Sequence, residues 1–593
     1  MAQSSEVHAY IYIKSQLQLL GWNTANPTRN TIGEVYTQNE CLQNETIKKF
    51  LVNDKPENVI IVRENKHLII EAKPTHKQLD KAITEAKEYA DKLNKGKVLA
   101  PFCTAVAGND EDTYIIKSFY YHKGKWVEIE INDKVVSGLL SKDVARRILD
   151  NDDPFIKDFV ISDALYFTKA VKINAILHNG GINKNHRARV ISACLLAMLE
   201  DSPINRENDA YPLIGEINSR AESVLHKKGK RQFKDYVAIA VPPTPDNHIK
   251  FRRALLDTIQ ELESINIRSA MNSGTDVLGR FYEQFLKYGN GAKEIGIVLT
   301  PRHITRFGAE AIDVTHKDKV FDPACGTGGF LVAAFDRVKK VVDEDTLDKF
   351  KETGIYGTEQ DPEVVALALV NMIFRGDGRN NIEEGNCFTA KKFTNVKMSK
   401  VLMNPPFALK KQDEKEYKFI DLALSKMEQG GLLFVVIPSP IMFREKNFRE
   451  WRLSMLGKHS LKAVIKLPDD LFYPVGVHTS IVIIQAYKKH EKTDNVLWGW
   501  LTDSFIKSKG VMIESSKAPS NIDMMLNMVK SHLAGLPIKS VPKQFKTAPI
   551  LWDKFVECSP EYYLDEMDLS NEMILDSMED VLNNLISFKI NVK

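Results

Sequence analysis

Two stretches of this chain carry residue types that could do chemistry together. Asn404-Pro405-Pro406-Phe407 follows a hydrophobic run, Val401-Leu402-Met403. The N6 amine of adenine is a poor nucleophile, because its lone pair is delocalised into the ring. The Asn404 side-chain carbonyl and the Pro405 backbone carbonyl can accept its two hydrogens and localise that pair for in-line attack on a methyl sulfonium. Pro405 and Pro406 hold the carbonyl in place and remove competing N–H donors. Phe407 can stack on a base flipped out of a duplex. Alone, the tetrapeptide reads as a strand-terminating turn, since Asn-Pro is a common turn starter. The upstream stretch Phe321-Asp322-Pro323-Ala324-Cys325-Gly326-Thr327-Gly328-Gly329-Phe330 changes that reading. It runs from a strand residue through an acid and small residues into an apolar helix, Leu331 to Val338. Its glycines let the backbone turn with positive φ and approach a ligand closely. Asp322, Ala324, Gly326 and Gly328 are the candidate ligand contacts.

These stretches need a sheet to hold them. Val320-Phe321 reads as the first strand of a doubly wound sheet, with the loop and helix following. Gly354 to Glu359 is a second strand ending in an acid. Glu359 can take both ribose hydroxyls of a bound nucleoside, with Asp361 as the near alternative. Glu363 to Phe374 is a helix, and Gly385-Asn386-Cys387 ends a third strand–helix unit. Gly431 to Pro438, Ala463 to Pro468 and Gly476 to Ile484 continue the sheet. His478 reads as a hydrogen-bonded structural histidine, because the amine loses its proton only after the methyl group arrives.

The first part of the chain has a different plan. Helices are expected over Tyr10 to Leu20 and Glu40 to Val52. Val59 to Val62 and Leu68 to Ile70 form a hairpin around Arg63-Glu64-Asn65-Lys66. Leu79 to Leu93 follows as a helix, with Ile83, Ala86, Tyr89, Ala90 and Leu93 on one stripe. Residues from about Ala105 to Glu130 (Tyr114-Ile115-Ile116, Ser118 to Tyr121, Val127 to Glu130) alternate like strands and would complete the small domain. Pro56-Glu57 before the hairpin and Glu71-Ala72-Lys73 after it resemble the core of PD-(D/E)xK nucleases. That resemblance implies that Glu57 and Glu71 hold Mg²⁺, a cation that prefers oxygen ligands. Lys73 lies on the same strand face as Glu71. There it can position or help deprotonate the attacking water and neutralise phosphorane charge. The family's acid after Pro is usually Asp, and here it is Glu57, whose longer arm can still reach a metal; Asp54 is the fallback. The same pattern also fits a hairpin with solvated charges.

Composition bounds the rest. In 593 residues, Lys+Arg 81 against Asp+Glu 78 leaves a net charge of +3, so a nucleic-acid surface must be local. The cysteines (Cys41, Cys103, Cys194, Cys325, Cys387, Cys558) form no CxxC pair, which argues for a reducing compartment and against structural zinc. No apolar signal core opens the chain and no run is long enough to span a bilayer, so a cytoplasmic protein is expected. From about Pro154 to Tyr288 the pattern is helical, with Val190 to Leu199 and Phe251 to Leu262 the clearest segments. Lys227-Lys228-Gly229-Lys230-Arg231 could meet DNA phosphates or be a solvated loop. In the tail, Met573 to Phe588 reads as an amphipathic helix that docks on the protein's own core or on a partner.

Leu278 to Leu286, then Gly296-Ile297-Val298-Leu299-Thr300-Pro301-Arg302, resembles the lead-in to the catalytic domain of type I modification subunits. With the loop and the Asn-Pro-Pro-Phe turn, that resemblance covers roughly residues 155 to 490. It implies S-adenosylmethionine as cofactor and Thr300 against its methionine end. Asn386 would meet its adenine amine, standing where the family usually has Asp; an asparagine can accept through its carbonyl oxygen. Residues 500–593 hold no second domain of target-recognition size. A nuclease joined to such a methyltransferase, with recognition in trans, resembles the type IIB restriction–modification subunits. The expectation is a multi-domain α/β protein. It has a PD-(D/E)xK nuclease-like domain (1–150), a helical domain (151–290), a Rossmann-like adenine-N6 methyltransferase domain (291–500) and a C-terminal docking region (501–593). Double-stranded DNA and a separate specificity subunit are the expected partners, in a hetero-oligomer with no membrane. Three rivals stand beside it: a modification-only methyltransferase with an inactive nuclease-like DNA clamp, a non-enzymatic assembly subunit, and a protein-glutamine methyltransferase.

Overall fold

The computed structural model describes residues 2–96, 98–157, 163–200, 202–241, 246–272, 300–375, 381–408, 413–443, 445–469, 471–472, 477–502, 505–508, 511–514, 520–541, 544–552 and 556–564. The chain divides into two compact units. One holds residues 1–299, 326–328 and 361–380; the other holds 300–325, 329–360 and 381–593.

The first unit begins with a six-stranded sheet in the order β1 (Val35–Thr37), β2 (Asn58–Arg63), β3 (Lys66–Lys73), β4 (Leu99–Asn109), β5 (Thr113–His122), β6 (Lys125–Glu128). β2 and β3 form an antiparallel hairpin whose turn places Asn65 at φ 60, a conformation asparagine tolerates. β4 runs parallel to β3, which requires a crossover, and the helix Leu79–Asn94 supplies it. Ala82, Ala86, Ala90 and Leu93 form that helix's buried face, small side chains that let it lie close to the sheet. The single helix expected over Glu40 to Val52 is two, Gln38–Cys41 and Glu45–Leu51. The Asn44 side chain accepts from the N–H groups of Thr46 and Ile47, a cap that starts the helix afresh. β4 was not foreseen before Ala105. Pro101 lies where its register against β3 shifts, the irregularity that admits a proline into a paired strand.

A small sheet of β7 (Glu130–Ile131), β8 (Lys134–Val135) and β9 (Phe155–Ile156) follows. The helices Asp163–Asn179, Lys184–Ala197, Ala210–Lys227 and Asp246–Ser264 then share one core. Tyr166, Ile191, Leu213 and Leu255 lie in it, with Leu367 and Val370 from the helix Pro362–Phe374. The helical part and the sheet are one compact unit with buried polar joints. Buried Arg206 donates to Thr113 Oγ1 at 2.7 Å and to the Tyr114 carbonyl at 3.0 Å. Buried Lys169 donates to Glu261 at 2.7 Å and to Gln16 of the helix Ala2–Leu19 at 3.1 Å. An unpaired charge at either place would be costly, so these joints fix the orientation of the two parts.

The second unit is built on nine strands: β10 (Val320–Asp322), β11 (Ile355–Glu359), β12 (Asn381–Glu384), β13 (Met398–Met403), β14 (Met427–Pro438), β15 (Ser460–Lys466), β16 (Thr479–Gln485), β17 (Asn495–Trp500) and β20 (Phe545–Pro549). Their spatial order is β12-β11-β10-β13-β14-β16-β15-β17-β20. The first five are mutually parallel, and β16 is antiparallel to both its neighbours. Phe321, Met403, Leu433, Val482 and Trp498 lie in a core on this sheet. The sheet does not stop near residue 500: β20 pairs with β17, and the Tyr563 ring stacks on Trp498 at 3.8 Å. β18 (Phe505–Ser508) and β19 (Val511–Glu514) form a separate hairpin. The expected segments Leu278 to Leu286, Gly296 to Leu299 and Met573 to Phe588 lie outside the described residues. Among the described residues no helix is long and apolar enough to cross a membrane.

Candidate active site

Four adjacent parallel strands bring their C-terminal ends to one edge, the place where open α/β sheets bind ligands. Along that edge Asn386 follows β12, Glu359 ends β11, Asp322 ends β10 and Asn404 follows β13. The registers are tight: Glu384 pairs with Glu359, Gly357 with Asp322, and Phe321 with Val401. At about 4.8 Å per strand, the row from Asn386 to Asn404 spans about 15 Å, the scale of a nucleoside with an amino-acid arm.

Asp322 is buried, and its Oδ1 accepts the Ala324 N–H at 3.1 Å. Burial pushes this carboxyl well above the ordinary carboxylate range; the Ala324 N–H pulls it down and the Glu359 charge adds to the rise. The Cys325 N–H donates to the Thr358 carbonyl at 2.9 Å, pinning the start of the loop to β11. Gly326 and Gly328 take φ of +53 and +81, and a Cβ added at Gly326 would meet nothing within 4 Å. The backbone there is open for close approach. Asn371, which the sequence did not single out, donates to the Thr327 carbonyl at 3.1 Å and holds that part of the loop.

Glu359 is half-buried, and its Oε1 accepts the Gln360 N–H at 2.8 Å. Asp361, the alternative acid, precedes the helix Pro362–Phe374 and accepts the Val364 N–H at 3.4 Å, as a capping residue does. Asn386 is exposed, and its Oδ1 accepts the Phe388 N–H at 2.9 Å. Its second lone pair is what a further donor would use.

Among the described residues, Asn404 is held from one side. Its Nδ2 donates to Thr300 Oγ1 at 2.9 Å, while Oδ1 is buried with no hydrogen-bond partner among the described residues. Leaving such an acceptor unpaired costs about 1–3 kcal/mol, and an arriving donor recovers it. Phe407 meets Phe472 edge-on at 5.8 Å, and the next N–H, that of Ala408, donates to buried Glu416 at 2.8 Å. Glu416 was missed from sequence; its only signal is an acid at the start of a helix just after the turn. His478 Nδ1 lies 2.7 Å from Asp469 Oδ1 on the surface.

Comparisons with known proteins find likenesses over the same part of the chain. Residues 273–530 match the family N-6 DNA Methylase. That stretch, less than half of the chain, is similar to the N-6 DNA methylases. Among curated relatives, the type II restriction enzyme and methyltransferase RM.BcgI of Heyndrickxia coagulans is 39% identical over 237 residues, 38% of this chain and 37% of the relative. The methylase subunit of the Escherichia coli type I restriction enzyme EcoEI is 29% identical over 253 residues, 40% of this chain and 51% of the relative. The chain thus spans about half or less of these relatives' length. A solved modification subunit, assigned to a type I restriction enzyme of Vibrio vulnificus YJ016, covers 71% of this chain and 99% of its own at 16% identity and TM-score 0.50. That is a likeness of fold alone, a mixed α/β plan.

The residues along this edge fit the S-adenosylmethionine that the sequence resemblance implies. An acid ends the strand beside the Asp322 strand, and the unpaired Asn404 acceptor lies one strand further along.

In the N-terminal sheet, the β2–β3 register pairs Asn58 with Ile70, so Glu57 and Glu71 are the next opposed residues. Both are buried. Glu57 accepts from Gln38 at 2.8 Å. Lys73 bridges Glu71 and Glu85, each at 2.6 Å, and Glu71 Oε2 has no partner among the described residues. Burial raises the Glu71 carboxyl to about 7, opposed by Lys73 and reinforced by the Glu85 and Glu57 charges. Lys73 is itself pushed up by its two carboxylates against its partial burial. The two directions are compatible, because one ammonium is shared between two acids and only Glu71 is deeply buried. Asp54 is paired with Lys92 instead. Among the described residues no cluster of three or more His, Cys, Asp or Glu side chains is placed to hold a metal. Two carboxylates can still serve Mg²⁺, which keeps several waters and binds through one or two carboxylates plus substrate phosphates. Gln38 and Glu85 escaped the sequence reading, because neither belongs to the short motif.

Proposed function

We propose that this chain is a restriction–modification subunit that transfers a methyl group from S-adenosylmethionine to adenine N6 in double-stranded DNA. The observation that carries the reading is the buried, unpaired Oδ1 of Asn404, one strand from Asp322 at the same sheet edge. The cofactor supplies an electrophilic methyl group. Glu359 takes the ribose hydroxyls, Asp322 and the loop through Ala324, Gly326 and Gly328 set the backbone path around it, and Asn386 meets its adenine. The flipped base stacks against Phe407. Its amine gives one hydrogen bond to Asn404 Oδ1 and one to the Pro405 carbonyl, with Pro406 fixing the turn. Flipping costs a few kcal/mol, which stacking and the two hydrogen bonds offset. Asn404→Ala should abolish tritiated-methyl incorporation into unmethylated DNA while cofactor still binds. Unchanged incorporation would remove the reading.

The opposed Glu57 and Glu71, with Lys73 beside them, favour a second activity: cleavage of unmodified duplex. The hairpin, the crossover helix and parallel β4 are the supports on which a PD-(D/E)xK site is built. Glu57 and Glu71 would hold Mg²⁺, which would polarise the scissile phosphate, and Lys73 would stabilise the charge that develops on it. With sequence recognition supplied by a separate specificity subunit, the chain would work in the cytoplasm as part of a hetero-oligomer of type IIB plan. A Mg²⁺-dependent digestion assay on unmethylated DNA separates this from a modification-only enzyme, and absence of cutting by the complete complex would leave methylation alone.

A further inference from the structure

An asparagine amide is nearly symmetric in shape. Turning it over exchanges an acceptor for a donor with little change in packing, so hydrogen bonding alone decides which end faces the substrate. Only the Oδ1 end can activate an amine; an Nδ2 end would set donor against donor. In this structure the Nδ2 of Asn404 is taken by Thr300 Oγ1 at 2.9 Å and Oδ1 is left over. A threonine hydroxyl can donate or accept, so by itself it does not select one orientation. It selects when its own hydrogen is committed elsewhere, because the hydroxyl can then only accept. Thr300 directly precedes Pro301, which caps the helix Arg302–Ala311. The proline removes a competing N–H, and the side chain is held at a helix entrance rather than in a loose loop.

We propose that Thr300 is a positioning residue that locks the Asn404 amide. Its O–H donates to the carboxylate of the cofactor's methionine arm, and its oxygen lone pair then accepts from Asn404 Nδ2, presenting Oδ1 to the base. Cofactor occupancy thereby arms the turn. This rests on the reading that Asn404 receives the amine, and it adds a second role to a residue expected only to touch the cofactor.

The test uses the native complex and S-adenosylhomocysteine, which keeps the carboxylate and transfers nothing. Thr300→Val and Asn404→Leu should each weaken its binding about three- to tenfold, the worth of one hydrogen bond. The double variant should be no weaker than Thr300→Val alone, because the two effects run through one relay. Single-turnover methyl transfer by Thr300→Val should fall about tenfold or more even at saturating cofactor, and Thr300→Ser should recover it. Additive losses in binding, or a full rate for Thr300→Val at saturation, would overturn the relay. Full activity of Asn404→Ala would instead sink the underlying role of Asn404, so the two failures are distinguishable.

Discussion

Asp322 and Asn404 leave neighbouring parallel strands at one edge of the sheet, a relationship set by the pairing of Phe321 with Val401. Neither residue is close to the other in sequence, and each alone sits in an ordinary turn. With strands about 4.8 Å apart, the register brings two weak motifs to one edge as a candidate site.

Glu359 is the acid on which nucleoside binding should depend. Two hydrogen bonds to an ionised carboxylate are worth about 1.5–3 kcal/mol each at most. Glu359→Ala should therefore weaken S-adenosylhomocysteine binding at least tenfold by calorimetry. Asp361→Asn, at a residue that caps a helix, should leave affinity within about twofold. The reverse ranking would move the ribose contact to Asp361.

Glu416 should act on the turn without touching the cofactor. Its carboxylate holds the Ala408 N–H at 2.8 Å. Glu416→Leu strands that donor and loosens Phe407, so methyl transfer should drop tenfold or more while S-adenosylhomocysteine affinity is unchanged. Glu416→Gln keeps an acceptor and should retain most activity. Equal loss in both variants would point to a requirement for charge instead.

Lys73 should matter to cleavage alone. Lys73→Ala removes the ammonium between Glu71 and Glu85 and should stop Mg²⁺-dependent cutting with tritiated-methyl incorporation intact. Nicking at the wild-type rate would end the nuclease assignment.

Glu71 gives a pH dependence of stability. Its folded carboxyl is raised to about 7 by burial, so the folded state keeps a proton that the unfolded chain releases in the ordinary glutamate range. Stability therefore falls as pH rises from that range through about 7, by on the order of 2–3 kcal/mol, and is level beyond. Denaturant unfolding in EDTA should show this slope in the wild type. Glu71→Gln, which cannot ionise, should flatten it; an unchanged slope would assign the effect to other groups.

The local signals proved readable where chemistry and backbone geometry coincide. The hairpin around Asn65, the crossover helix Leu79–Asn94 and the strands ending at Asp322, Glu359 and Met403 all follow from short patterns of apolar and turn residues. β4 did not, because Pro101 and a run of small residues hide a strand that only its partners β3 and β5 stabilise. Glu416, Gln38, Glu85 and Asn371 were also silent. Each acts by reaching a group distant in the chain, or one that belongs to no motif.

By itself, then, the sequence determined which residues could handle an amine, a nucleoside and a phosphate, because those capacities reside in side-chain chemistry and tight local turns. Tertiary structure alone decided the strand order that lines up Asn386, Glu359, Asp322 and Asn404, and the extension of the sheet through β20. It also decided that Thr300 takes the nitrogen of Asn404 and leaves the buried oxygen without a partner among the described residues. Strand order and amide orientation are set by contacts between segments far apart in the chain, and no local pattern encodes them.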